Sequence, residues 1–317
     1  MDDPTRLRAR AISKAGGIDT ALARGDIDDI VDVSLSEGLV LGLLRQGVRK
    51  YFAIFGHGST DLGEVLRVYD EEGVTRTVNC RNEVEMAHAA TALSWQYGET
   101  CAVVTSIGPG ALQAMAGSLA AASNGVGVYH IYGDETTLGE GYNMQQIPKP
   151  QQGLFGQMGA LMGQSYVLHT PGALRDCMRR GTGCVHHPYK AGPFYVLLPL
   201  NTQPEVTSVN LTSLPGALTI PAVAPTDANA YADAIKLIAD AKRPVIKAGG
   251  GTRGHDEMVR RLAENIGAAV VQSPGSTGVL PDDHAQNMHV GGSKGSISGN
   301  YALENADLLI AMGTRAV

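Results

Sequence analysis

One pattern constrains the fold more than any other. Short, largely apolar runs recur along the chain, each followed by a turn and then by a segment with helical spacing. The runs are YFAIF (51–55), RTVN (76–79), AVVTS (102–106), GVYHIYGD (127–134), SYVLHT (165–170) and FYVLLPL (194–200). TDLGEVLRVYD (60–70), EVEMAHAATALSWQY (83–97), GALQAMAGSLAAAS (110–123) and GALRDCMRRGTGCV (172–185) read as helices between them. Ahead of the first run, 34–48 places Leu35, Leu39, Leu43 and Leu44 on one helical face, with Ser34 or Ser36 as cap. A strand with one wet face alternates apolar and polar residues. Strands apolar throughout need cover on both faces, and crossover helices supply it. The expectation for 34–200 is therefore an α/β domain, a six-stranded parallel sheet flanked by helices.

The pattern begins again after a gap. Residues 201–225 carry Pro204, Pro215, Pro221 and Pro225 among Thr, Ser and Asn, and read as a linker. From 226 a second, Rossmann-like α/β unit follows. Its opening helix, 226–241, has Thr226 or Asp227 as cap and Tyr231, Ile235 and Ile238 facing inward. Strands are expected at 244–251, 268–273 and 307–314, and helices at 255–267 and 300–306. Three parallel strands leave an unfinished edge, so 226–317 is expected to be a truncated domain that another chain completes or covers. Residues 1–33, polar and mixed in charge, read as an arm outside the core.

Composition excludes several classes. With 44% hydrophobic and 18% charged residues the chain is not disordered. Lys and Arg number 25 against 31 Asp and Glu, without a basic stripe, so neither nucleic acid nor an anionic membrane is an expected partner. No apolar run approaches the roughly 18 residues of a membrane span. The first residues lack the apolar stretch of a secretory leader, and a cytoplasmic location is expected. Cys80, Cys101, Cys177 and Cys184 show no CxxC spacing and read as reduced, small hydrophobes rather than metal ligands or disulfides.

GGGTRG (249–254) satisfies GxGxxG between a strand and a helix, as a dinucleotide site requires. The next strand ends in VVQS, with no acid for a ribose hydroxyl, so a tight turn is the preferred reading over nicotinamide binding. An anion or flavin phosphate is left open. In the first domain FGHG (55–58), RNE (81–83), SIGPGALQ (106–113) and YGD (132–134) follow successive strand ends, where an open α/β sheet gathers its ligand groups. Glu83 opens a helix among apolar neighbours, where loss of water favours proton exchange. Alone, an acid in a first helical turn is more often a partner of the helix dipole.

The order FGxG, RxE before an Ala-rich helix, SxGPG and then GD resembles the pyrimidine-binding domain of thiamine-diphosphate enzymes, acetohydroxyacid synthase and its relatives among them. RPVIKAGGG (243–251) with GG (291–292) and GNYALENADLLIAMGTR (299–315) resembles their central domain. The GHG turn is most similar to the branch containing trihydroxycyclohexanedione hydrolase. The likeness covers about residues 34–315.

The resemblance implies thiamine diphosphate with Mg2+ as cofactor. It assigns Glu83 the hydrogen bond to the pyrimidine N1′, which favours the imino tautomer that removes the thiazolium C2 proton. It implies that Gly56, His57, Gly58, Gly108, Pro109, Gly110 and Gln113 border the cofactor, and that His57, Gln145 and Gln146 reach substrate. RNE stands where RHE is common, and GPGALQ where GPGATN is common; these changes put pocket details in doubt. The family's diphosphate and Mg2+ domain, with GDG and a downstream Asn, has no counterpart here. The metal and diphosphate would then sit on a second subunit, with self-association into an α2β2 assembly. Some relatives carry a non-redox FAD on the central domain, so FAD stays open.

Three function classes follow. The first is one subunit of an enzyme that passes the acyl unit of a decarboxylated 2-oxoacid to an acceptor, or that hydrolyses a cyclic 1,2-dione. The second is a non-catalytic regulatory or scaffold subunit. The third is a nicotinamide enzyme using GGGTRG.

Overall fold

Alternate residues of a strand point to opposite faces of its sheet, and the buried side chains of the central strands sort accordingly. Tyr51, Ala102, Val104, Tyr129, Ile131, Val196 and Leu198 belong to one apolar cluster, whereas Val103, Val128, Tyr132, Tyr195 and Leu197 belong to another. The computed structural model describes residues 3–138, 153–221 and 223–314. They form two compact units, Met1–Ile220 and Pro221–Val317.

In the first unit six parallel strands run in the order β3-β2-β4-β5-β7-β6: β2 (Lys50–Ile54), β3 (Arg76–Asn79), β4 (Ala102–Thr105), β5 (Val128–Asp134), β6 (Gln164–Val167) and β7 (Pro193–Pro199). Helices α3 (Leu35–Arg45), α4 (Thr60–Glu71) and α8 (Leu174–Val185) contribute to the first cluster; α5 (Glu83–Tyr97), α6 (Pro109–Asn124) and α7 (Leu154–Met162) contribute to the second. This is the expected doubly covered parallel sheet.

Residues 1–33 are not a free arm. Helices α1 (Pro4–Ala15) and α2 (Ile18–Arg24) bury Ala9, Ile12, Ile18 and Ala21 in the first cluster. Their charges, which suggest solvent exposure in the sequence, are matched by acids on α3 and at the C-terminal end of α4. Arg8 pairs with Glu37 (2.5 Å), Arg6 with Glu71 (2.6 Å) and Glu72 (2.8 Å), and Arg10 with Glu72 (3.1 Å). Glu37, 1% exposed, also accepts hydrogen bonds from Tyr69 and Thr5.

The expected linker is likewise folded in its first part. β1 (Ile30–Ser34) pairs antiparallel with β8 (Val206–Asn210). Thr202 and Gln203 are buried, and the division between units falls at Ile220/Pro221.

The second unit has four parallel strands, in the order β11-β10-β9-β12: β9 (Pro244–Ala248), β10 (Ala269–Gln272), β11 (Asn287–Val290) and β12 (Leu308–Met312). Helices α10 (Asp256–Ile266) and α11 (Ile297–Asn305) accompany them. The fourth strand, β11, escapes the sequence pattern because NMHV is short and half polar. The opening helix α9 (Ala230–Asp240) begins after both Thr226 and Asp227, so neither caps it. Tyr231 and Ile235, expected to face inward, are 62% and 66% exposed. Helical amphipathicity shows that a face needs cover, and this unit does not supply it.

None of the described helices is long and apolar enough to cross a membrane. All four cysteines are free; Cys101, Cys177 and Cys184 are buried.

Candidate active site

β2, β4 and β5 are neighbours in the sheet, so the turns that follow them meet at one edge. Ile107 N donates to His57 O at 3.0 Å, joining the turn after β4 to the turn after β2. The end of β5 completes the group. A Cβ placed on Gly133 would lie 2.4 Å from Gly58 O, so any larger residue there would force the two backbones apart. Gln203 holds the arrangement from beneath: its Nε2 donates to Gly58 O (2.6 Å) and Leu198 O (3.0 Å). Sequence reading misses Gln203, which stands in a segment read as linker. Only its place four residues after the end of β7 could have pointed to it.

Glu83 reaches the same edge from the β3–α5 junction. Asn82 caps α5, its Oδ1 accepting from Glu85 N at 2.8 Å, which leaves Glu83 in the first helical turn. Close packing brings α6 onto α5. A Cβ on Gly117 would stand 2.7 Å from Ala87 Cβ, and a Cβ on Gly110 would stand 3.0 Å from Glu83 Oε1 and 2.9 Å from Ser106 Oγ. The Glu83 carboxylate therefore lies directly over the start of α6, in space that a side chain at 110 would take. Gly108 turns the chain into α6 with φ +72, a backbone state that favours glycine.

The structure brings Glu83, Gly56, Gly108 and Gly110 together near Ser106, with Gly58 alongside against Ile107 and Gly133. Gly58, Gly108 and Gly110 are buried, while Gly56, His57, Pro109 and Gln113 are exposed. Glu83 is half-buried. Helices α5 and α6 are likewise covered on one side only, and Leu119 is 55% exposed. Gln145 and Gln146 lie outside the described residues. At the end of β5, burial pushes Asp134 up to about 7. Also in this strand His130 is fully enclosed, and burial lowers it to about 3, which keeps it neutral beside Tyr132 (3.0 Å).

The glycine turn of the second unit has another purpose. Gly249 N donates to Met312 O (2.8 Å) and Gly251 N to Gly313 O (2.9 Å); Thr252 N and Arg253 N are engaged by Gly249 O and Gly250 O. A Cβ on Gly249 would meet Gly313 O at 2.4 Å. These glycines allow close packing of backbone on backbone, and most of the turn's N–H groups are already used. That weighs against nicotinamide or a flavin phosphate at this turn.

Residues 33–154 match the family model described as Thiamine pyrophosphate enzyme, N-terminal TPP binding domain, and 231–317 match its central-domain counterpart. The chain belongs to the thiamine pyrophosphate enzyme family. It is 27% identical over 291 residues to a probable acetolactate synthase large subunit of Methanocaldococcus jannaschii, an alignment covering 88% of this chain and 47% of that protein. It is 29% identical over 279 residues to a 3D-(3,5/4)-trihydroxycyclohexane-1,2-dione hydrolase of Bacillus subtilis, covering 84% and 43%. A protein of the same description from Geobacillus thermodenitrificans is 26% identical over 283 residues, covering 86% and 44%. The chain spans less than half the length of these relatives.

The Glu83 site fits the pyrimidine side of thiamine diphosphate. It offers a carboxyl above a glycine cradle left free of side chains. Among the described residues no group of three His, Cys, Asp or Glu side chains could hold a metal ion.

Proposed function

We propose that this chain is the pyrimidine-side component of a two-polypeptide thiamine-diphosphate enzyme that makes or breaks a C–C bond. The observation that carries the proposal is the Glu83 carboxylate packed against Gly110 and Ser106. Bound thiamine diphosphate supplies a carbanion-forming centre and an electron sink. Glu83 holds a proton at its carboxyl oxygen and shares it with a ring nitrogen of the pyrimidine. Gly108 and Gly110 let that ring approach the backbone, and the turn 56–58 walls the site towards substrate. Mg2+ and the diphosphate are held by a second polypeptide, which also removes Glu83 from water.

Unburied apolar surface supports such an assembly. Leu112 and Leu119 on α6, Tyr97 on α5, and Tyr231, Ile235 and Leu237 on α9 are all exposed. We assign the first set to self-association and the second to the partner, in an α2β2 arrangement.

Two substrate readings fit this site. Acetolactate-synthase-like chemistry decarboxylates a 2-oxoacid and passes its acyl unit on, and similarity along most of the chain to an acetolactate synthase large subunit supports it. Hydrolysis of a cyclic 1,2-dione is supported by the GHG turn and by the dione hydrolases that match at similar identity. Reconstitution with a polypeptide carrying the diphosphate domain, assayed for CO2 release from pyruvate and for ring opening of a dione, separates the two. Activity should appear only on mixing. A partner already active and complete in both cofactor domains would instead make this chain a regulatory or scaffold subunit.

A further inference from the structure

Each carbonyl of the 56–58 turn has a donor, and one of those donors comes from far along the chain. Gly56 O accepts from Ser59 N (3.1 Å) and His57 O from Ile107 N (3.0 Å), both backbone groups. Gly58 O accepts instead from the side-chain amide of Gln203 (2.6 Å). Gly58 has φ +84, and glycine moves between such states with little steric penalty, so its peptide plane needs a tie from outside the turn. Gln203, 1% exposed, is itself well fixed. Its Nε2 also donates to Leu198 O in β7 (3.0 Å), and its Oε1 accepts from Leu62 N in the first turn of α4 (3.4 Å). Its carbonyl accepts from Ser36 N in the first turn of α3 (3.2 Å). The preceding Thr202 donates through Oγ1 to Leu168 O and Pro199 O (3.0 Å each). One amide therefore joins the turn to a strand and two helix starts.

The two sides of the candidate site are held by different groups. The Glu83 side rests on the Asn82 cap and on the close packing at Gly110 and Gly117. The His57 side rests on the turn. Loss of the Gln203 amide would leave the carbonyl of a buried glycine unpaired. The turn, with His57 in it, would then shift while α5 and α6 stay in place.

We propose that Gln203 is a positioning residue for the substrate step: it sets the 56–58 turn, and through it His57, without taking part in activation of the cofactor at Glu83. The inference rests on the proposed function in placing that turn beside substrate.

Two variants test it. Gln203→Met keeps the length and the apolar contacts but removes both N–H donors. Gln203→Glu keeps the shape, and its carboxyl, buried against two carbonyl oxygens, donates to Gly58 O only while protonated. The Ser59 amide shares its peptide plane with Gly58 O and serves as the probe in the full chain alone. Its NMR signal should be displaced in Gln203→Met. In Gln203→Glu it should move from near the native position towards the Gln203→Met position as the pH rises from about 5 to about 8. In the reconstituted complex Gln203→Met should raise KM, for pyruvate or for the cyclic dione, about tenfold. C2 proton exchange should stay within about twofold of native. The KM of Gln203→Glu relative to native should climb with pH; Asp61 in α4 and Asp134 in β5 are present in both proteins and cancel in that ratio. A Ser59 signal that neither variant moves, an unchanged KM in Gln203→Met, or a KM ratio flat with pH overturns the proposal. So does C2 exchange that falls as far as turnover, because Gln203 would then support the whole fold rather than the substrate side. Failure of the proposed function would appear instead as absence of C2 exchange in the native complex, a result on which the Ser59 signal does not depend.

Discussion

The two units share a device and put it to different uses. In each, a glycine turn follows a strand and lies against the end of a neighbouring strand, at Gly58 and Gly133 in the first unit and at Gly249 and Gly313 in the second. In the first unit the adjoining turn opens onto an acid, Glu83, and onto two buried carboxyl groups, Asp134 and Glu135. In the second unit the neighbouring strand end offers Gln272 and Ser273, and the turn's N–H groups bond to backbone. A glycine motif thus reports close backbone approach. Chemistry must be argued from the ionisable group beside it. Coverage differs as well: α1 to α4 and α8 enclose one face of the first sheet, whereas α9 leaves its apolar side exposed.

If the first unit owes its closure to the N-terminal helices, Glu37→Ala should be the most damaging stability change. It strands Arg8 beside a buried gap and should lower the stability of that unit by about 3 kcal/mol. The second unit's unfolding in denaturant should not move. Loss in both units, or in neither, would break the contrast.

The two glycine turns can be tested as a pair. Gly133→Ala and Gly249→Ala each push a Cβ into a carbonyl at 2.4 Å, and each should destabilise its own unit by about 2 kcal/mol. Only Gly133→Ala should also reduce activity of the reconstituted complex, because it displaces the turn at Gly58. Equal loss of activity from Gly249→Ala would restore a ligand role to GGGTRG.

The smallest expected effect is one of pH. Burial first, and the charge of Glu135 after it, raise Asp134 from 3.8 to about 7. An acid with a raised folded-state pKa favours the folded protein below 3.8, and that contribution is lost as the pH rises through about 7. Asp134→Asn stays neutral, so it should be more stable than the native protein at pH 8, with the difference vanishing near pH 4. Thermal melts across that range check the sign. A stabilising effect that grows as the pH falls would contradict it.

The central strands β4, β5 and β7 are legible in the sequence because burial on both faces makes their runs largely apolar, whereas the edge strands β3 and β6 are partly polar and only partly buried, and are legible by their place between helices. β1 and β8 are not, because a two-stranded ribbon buries little: Val33 and Val209 are covered while Ile30 and Val206 stay exposed. α1 is hidden by its arginines, whose partners lie more than 25 residues further along the chain. At the site, the RNE and SIGPGALQ motifs point to Glu83 and Gly110. Gln203 carries no local pattern, since its role depends on a turn 145 positions away.

The central claim is that Glu83 passes a proton to and from the cofactor's pyrimidine, and hydrogen–deuterium exchange at the thiazolium C2 measures that most directly. In the reconstituted complex Glu83→Gln should slow exchange about 100-fold or more while leaving the fold intact. Exchange at close to the native rate would contradict the account.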